Sequence, residues 1–232
     1  MRRVFAVVPA HNESPTIRDT VRALWDFVDD MVVVADACRD DTAKRAQEAG
    51  ATVLIRSGRG DKARALALGL NWVAAQSPGR NDVVLLVDGD TGDSAREAVK
   101  LVEAVVGGEA DMAVGVLPPA GRHGGFGLVA RFARWVLRRQ TGMVFRAPLS
   151  GQRAVRWSAL HGLSALAGGF GVEVGMTIDL VRAGARVQEV EVSMTHRYTG
   201  RSWRGFLHRA RQGWHVLMAS VGWRGVRLWT DG

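Results

Sequence analysis

Two aspartates one residue apart, Asp88 and Asp90, follow an unbroken apolar run at 83–87 (VVLLV), with Gly89 between them. Carboxylates at that spacing can both reach one hard divalent cation and the phosphates it carries. A short Val/Leu run reads as a strand buried on both faces, as in a parallel sheet. Ligands of open α/β sheets gather at the carboxyl ends of the strands, and this run delivers the pair to such an end. The same residues also fit an ordinary polar turn, because Asp-Gly is common turn chemistry. The remaining chain has to decide between the two.

Other residues able to do chemistry fall in comparable positions. Pro9, Ala10 and Glu13 end or follow the apolar run at 4–9 (VFAVVP), and Asp36 ends the run at 31–35 (MVVVA). Lys62 follows a glycine-bearing loop at 56–61 (RSGRGD), where a point charge can meet a phosphate oxygen. Glu173 heads a helical pattern behind a glycine-rich stretch, Arg153 follows PLSGQ at 148–152, and His196-Arg197 follow a strand pattern at 187–192. Each has a plainer alternative: Asp36 suits a helix cap, Lys62 a solvated surface, and His196 a structural position.

The elements that must position these residues follow from periodicity. Strands are expected at 4–9, 31–35, 51–55 and 83–87, with helices at 15–27, 40–50 and 63–75. That β-α-β-α-β-α-β order implies a parallel sheet with right-handed crossovers. Ser14 before Pro15 predicts a helix N-cap with proline at N1. Further on, a helix is expected at 94–106, a strand at 112–116 and a Pro/Gly-rich loop at 117–125. An amphipathic helix at 126–140 carries Arg131, Arg134 and Arg138 on one side and Val129, Phe132 and Val136 on another. A helix at 172–181, an edge strand at 187–192 and a second arginine- and tryptophan-bearing helix at 202–218 complete the pattern. No G-x-G-x-x-G follows the first strand, against a dinucleotide-binding domain.

Composition narrows the class. With 232 residues, 47% of them apolar, the chain can bury a full core, and general disorder is excluded. The economical division is one α/β domain at 1–200 and a basic, aromatic helical appendage at 201–232. No run of eighteen apolar residues exists, so no spanning helix is expected. The single cysteine, Cys38, excludes an internal disulfide framework and a cysteine-based zinc site, and a cytoplasmic location is expected. The net charge of +8 is unevenly spread: residues 1–111 carry 14 basic and 18 acidic side chains, residues 112–232 carry 17 arginines and 5 acids. No acid lies between Asp111 and Glu173. A surplus of that kind suits an anionic partner.

Taken in order, the motifs resemble family 2 glycosyltransferases of the GT-A fold. PAHNE at 9–13 is similar to that family's P-x-Y-N-E opening, with His11 where tyrosine is usual. VVVADACRDDT at 32–42 resembles its V-V-D-D-G-S-x-D-x-T segment, GRGDKARALALG at 58–69 its G-K-x-x-A-L-N-x-G helix, and DGD at 88–90 its D-x-D motif. PLSGQRA at 148–154, GFGVEVG at 169–175 and His196-Arg197 look like the branch of polyprenyl-phosphate glycosyltransferases and glucosyl-3-phosphoglycerate synthases. The E-D pair of many members is absent, and Glu173 stands in its general place.

The resemblance implies a Rossmann-like, mixed but mostly parallel sheet flanked by helices, and an inverting, metal-dependent transfer from a nucleotide-diphosphate sugar, UDP favoured over GDP. Pro9, Ala10, Glu13 and Asp36 would hold base and ribose, with Lys62, Asp88 and Gly89 completing the donor site. Asp90 would bind Mn2+ or Mg2+, with His196 as a further ligand and Asp88 on the metal or the ribose. A hydroxyl acceptor would need a base, for which Glu173 is the candidate. A phosphate acceptor is already dianionic, with a second pKa of about 6, and needs orienting arginines instead; Arg153, Arg197 and Arg201 are the candidates. The acid-free half favours the phosphate without distinguishing a lipid phosphate from a soluble one; polyprenyl phosphate is ranked ahead of a soluble acceptor such as 3-phosphoglycerate. The arginine-faced helices suit peripheral contact with the inner face of a membrane as well as simple packing on the domain, and a homodimer is compatible with the pattern. A non-catalytic module binding an anionic surface or nucleic acid is the rival reading, but no base-stacking or helix-turn-helix pattern supports nucleic acid.

Overall fold

A computed structural model describes residues 2–118, 126–168, 171–195 and 225–229. Its strands are β1 (Val4–Ala10), β2 (Asp30–Asp36), β3 (Thr52–Arg56), β4 (Val83–Leu86), β5 (Met112–Val116), β6 (Arg153–Arg156), β7 (Ala165–Leu166), β8 (Val187–Glu191) and β9 (Val226–Arg227). Its helices are α1 (Ile17–Leu24), α2 (Thr42–Glu48), α3 (Lys62–Ala75), α4 (Val99–Val106), α5 (Phe126–Thr141), α6 (Trp157–Leu160) and α7 (Val172–Arg182). Seven strands form one sheet in the order β3-β2-β1-β4-β6-β5-β8, and β7 pairs with β9 separately. Within the large sheet β6 alone runs antiparallel to its neighbours β4 and β5. The mostly parallel, doubly covered sheet expected from the sequence is therefore present, with β8 at an edge as expected.

Continuous apolar runs form these strands because both faces are covered. On β1, Ala6 and Val8 pack with α1, α2 and α4, while Phe5 and Val7 pack with α3, α6 and α7. Leu85 and Leu86 on β4 divide in the same way. Each such side chain, taken fully from water, contributes roughly 1.5–3 kcal/mol. The pleat alternates partners, not polarity, which is why no polar residue interrupts the runs.

Three local expectations are corrected. Ser14 does not cap α1, which begins at Ile17 with Thr16 at the N-cap and no side-chain cap bond. The loop before it instead leans on the start of α2: Glu13 N donates to Thr42 Oγ1 at 2.8 Å and Ser14 N to Asp40 Oδ2 at 3.1 Å. The helix expected at 94–106 opens as a 3-10 turn, Gly92–Ala98, before α4. The strand β6 was not foreseen, since RAVR is too short for periodicity to declare it. The helix expected at 202–218 lies outside the described residues. The described part of the expected appendage, 225–229, returns to the domain through β9, with Leu228 5% exposed.

Candidate active site

The carboxyl ends of β2, β1 and β4 lie side by side, because these strands are adjacent and parallel. That adjacency brings Asp36, Pro9-Ala10 and Asp88-Gly89-Asp90 to one edge. Gly89 N donates to Pro9 O at 3.2 Å, so the DGD turn remains bonded to β1. Thr16 and Thr20, one turn apart, both donate their hydroxyls to Gly89 O, at 3.0 and 3.1 Å. A Cβ at Gly89 would stand 2.9 Å from Ala10 Cβ, so no other residue fits between the two aspartates without displacing β1. Packing requires the glycine, and turn chemistry alone does not.

Asp88 is held on both carboxylate oxygens. Oδ1 meets Lys62 Nζ at 2.6 Å, and Oδ2 accepts from Gln152 Nε2 at 3.0 Å. Gln152 also accepts, through Oε1, from Asp88 N at 3.2 Å. Its amide thus grips the aspartate by main chain and side chain together, and it is fully buried. Lys62 continues to Glu173 Oε1 at 2.9 Å. Burial opposes the lysine's charge, but Asp88 and Glu173 outweigh it and raise its pKa, so it stays protonated. A Cβ at Gly151 would lie 2.6 Å from both Lys62 Nζ and Asp88 Oδ2; the bare glycine makes room for the ion pair.

Arg153 lies beneath these groups, 2% exposed. Its guanidinium donates to Ser150 O at 2.8 Å, to Thr177 Oγ1 at 2.9 Å and, weakly, to Met112 Sδ. Burial pushes its pKa down to about 10, with Glu173 and Asp88 opposing the shift. Lys62, Glu173, Arg153 and Gly151 line a small crevice with Leu86, Leu66 and Met176. Two cations and two carboxylates therefore form one compensated cluster at the floor of the site. Arg153 belongs to that floor, turned inward from the position expected of an acceptor ligand. Glu173, 8% exposed and joined to Lys62, is spoken for as well.

The other side of the edge is built around Asp36, 4% exposed. Its carboxylate ion-pairs with Arg56 at the end of β3 and accepts from Asp61 N at 2.6 Å, fixing the entry to α3. Asp61 in turn caps that helix by accepting from Ala63 N and Arg64 N. Asp36 main-chain O faces His11 Nδ1 at 2.6 Å. Asn12 and Ala37, just past the β1 and β2 ends, take left-handed backbone with φ of 58° and 51°. Such strain costs about 1–2 kcal/mol for an alanine and collects at functional sites. Burial pushes the Cys38 thiol up, so it does not supply a thiolate here.

The donors at this edge fit a hard divalent cation. Asp90 stands partly exposed beyond the turn, and carboxylate oxygen is the ligand type that Mg2+ and Mn2+ take. Asp88, committed to Lys62 and Gln152, is better placed to orient the turn than to lead the coordination. Among the described residues no group of three or more His, Cys, Asp or Glu gathers for a metal. His196, Arg197 and Arg201 lie outside the described residues. The structure thus brings together Pro9, Ala10, Asp36, Lys62, Asp88, Gly89, Asp90 and Glu173, with Glu13 in the adjoining loop. Sequence reasoning missed Gln152 and Gly151 as individuals, although both lie in the PLSGQ motif.

The chain and its fold are similar to several known proteins. The chain is 27% identical over 215 residues to undecaprenyl-phosphate mannosyltransferase of Micrococcus luteus, covering 86% of each. It is 32% identical over 208 residues to glucosyl-3-phosphoglycerate synthase of Mycobacterium tuberculosis, covering 77% of this chain and 60% of that one. It is 26% identical over 205 residues to glycosyltransferase AglJ of Haloferax volcanii, of which it spans 64%. A crystal structure of the mycobacterial synthase in complex with Mg2+ and UDP matches with a TM-score of 0.77 at 29% identity, covering 97% of this chain and 81% of that one. Another, with Mn2+, UDP-glucose and phosphoglyceric acid, matches with a TM-score of 0.74 at 27% identity over 97% of this chain and 81% of that one. Residues 5–156 match the family model for glycosyl transferase family 2, and the chain belongs to that family.

Proposed function

We propose that the protein transfers a sugar from a UDP-sugar to a phosphate-bearing acceptor, polyprenyl phosphate, by a single displacement with inversion at the anomeric carbon. An acceptor phosphate oxygen forms the new bond to that carbon. The bond from the carbon to the β-phosphate oxygen breaks, and its electron pair leaves with UDP. Glu13, Asp36 and the Pro9-Ala10 edge suit the base and ribose, and Asp90 would hold Mn2+ or Mg2+. The bound cation would neutralise the diphosphate and stabilise UDP as a leaving group. Lys62 and Gln152 keep Asp88, and with it the turn that presents Asp90, in one orientation.

The observation that carries the acceptor choice is the Lys62–Glu173 pair at 2.9 Å. A hydroxyl acceptor needs a base, and the one carboxylate expected to serve is buried and bound to an ammonium. A phosphate dianion needs none. Phosphoglycerate offers both a hydroxyl and a phosphate, whereas polyprenyl phosphate offers only the phosphate. The relation to the Micrococcus luteus enzyme supports the lipid, and peripheral action at the cytoplasmic face of a membrane goes with it.

UDP with Mn2+ is expected to raise the unfolding temperature of the protein, and Asp90→Ala to remove most of that rise. Labelled sugar from UDP-hexoses is then expected on a short-chain polyprenyl phosphate in preference to 3-phosphoglycerate. Equal protection of the parent and Asp90→Ala, or of neither, would sink the donor reading. Transfer to phosphoglycerate alone would overturn the lipid.

A further inference from the structure

Helix α5 presents two unlike faces. Ala133, Val136 and Leu137 pack on Val174 and Ile178 of α7. Away from that seam Leu128 is 75% exposed and Trp135 59% exposed, one on each side of two helical turns. Val144, 72% exposed, and Met143 follow directly in the chain. Four of the five large apolar side chains exposed among the described residues thus lie within residues 128–144. Contiguous exposure of this kind marks an interaction surface, whereas scattered exposure does not.

The charges on the same face point to the partner. Arg131, Arg134, Arg138 and Arg139 are all exposed there. By contrast Arg146 is tied to Glu191, and Arg156 and Arg186 both to Asp111. Among the described residues no carboxylate forms an ion pair with the four on α5. Guanidinium groups flanking exposed Trp and Leu match the boundary of an anionic bilayer, where the rings enter the headgroup layer and the cations meet phosphates. A protein partner would need a strongly acidic surface with apolar sockets at the same spacing.

We infer that the α5 face, from Leu128 through Trp135 to Val144, docks the protein on an anionic lipid surface. Helix α5 packs through its buried seam on α7, whose first turn carries Glu173 of the candidate active site. Docking through the outer face of α5 would bring this helix pair to the headgroups, where a lipid phosphate is found. The inference rests on the lipid-acceptor reading for its purpose only, and the two are tested separately.

The full-length protein is sedimented with vesicles that contain no polyprenyl phosphate. Binding to vesicles with about one third phosphatidylglycerol is expected to exceed binding to phosphatidylcholine alone by roughly tenfold or more, and to weaken as salt is added. The triple change Arg131→Glu, Arg138→Glu and Arg139→Glu is expected to abolish the preference. Trp135→Ala with Leu128→Ser is expected to weaken binding to both kinds of vesicle. Unfolding temperature and protection by UDP with Mn2+ should not move, because these side chains are exposed and outside the site. Undiminished binding by the triple variant overturns the inference, as does failure of the parent to bind or its pairing through this face into a dimer. Should docking fail while sugar still passes to a short-chain polyprenyl phosphate in detergent, the surface falls and the function stands.

Discussion

Gln152 is the residue that decides whether the paired aspartates form a site or a turn. It makes two hydrogen bonds to Asp88, one to the main chain and one to the carboxylate, from a fully buried position. A hydrogen bond to a charged group contributes about 1.5–3 kcal/mol, so Gln152→Ala is expected to lower kcat/KM for the donor by roughly 10- to 100-fold. Gln152→Glu separates orientation from mere packing. It keeps the shape but sets a second carboxylate against Asp88 Oδ2, and the two then compete for one proton. Activity of the glutamate variant should therefore recover as pH falls, with a pH profile displaced from that of the parent. Parent-like kcat/KM in both variants would show that Asp88 needs no such clamp. Sequence reasoning found Asp88 but not its partner, because nothing local links residues 64 positions apart; antiparallel β6 does.

Strands β1, β2, β4 and β5 were legible because each is a short apolar run with both faces buried, and their polar ends gave the site its edge. The antiparallel insertion β6 was not legible, since its four residues carry an arginine at each end. Arg153 is buried against Thr177, while Arg156 serves the opposite edge of the sheet. There Asp111, just before β5, accepts from Arg156 Nε at 3.2 Å and, just before β8, from Arg186 N at 3.0 Å and Nε at 3.2 Å. One carboxylate thereby holds three neighbouring strands in register. The Arg186 side chain, against partial burial and with help from Arg186 N and Arg156, lowers the Asp111 pKa to about 2. The sign follows from linkage: a carboxylate depressed in the folded state stabilises the fold above its unfolded pKa and loses that contribution as pH falls through the folded one. The contribution, about 2 kcal/mol by linkage, should fade between about pH 4 and pH 2. Asp111→Asn is expected to lower stability at neutral pH and to flatten the acid dependence in that window. Unfolding in denaturant from pH 7 to pH 2 would measure both, and parallel curves for parent and variant would refute the role.

Charge divides the molecule more sharply than architecture does. The acid-rich first part builds the edge with Asp36 and the DGD turn, both parts meet in the Lys62–Asp88–Glu173–Arg153 cluster, and the arginine-rich second part supplies the α5 face and the closing segment at 225–229. That closure was invisible in the sequence, where 201–232 read as an appendage, because β9 has only two residues and its partner β7 only two. Its hold comes from aromatic contacts. The Trp229 ring meets Trp157 edge-on at 5.2 Å and His161 at 4.9 Å, its Nε1 donates to Leu163 O, and its main-chain N donates to Asn71 Oδ1 on α3. Trp229 is partly buried, so Trp229→Ala, which removes the ring from beside Trp157, is expected to cost about 1–3 kcal/mol, less than a fully buried aromatic. For a chain of this length each kcal/mol moves the unfolding temperature by about 2–4 °C, so a fall of roughly 3 °C or more is expected. Trp229→Phe should recover much of it, because the ring contacts persist while the Leu163 bond is lost. A change of under about 1 °C for the alanine variant would mean that the closing segment does not belong to the folded core.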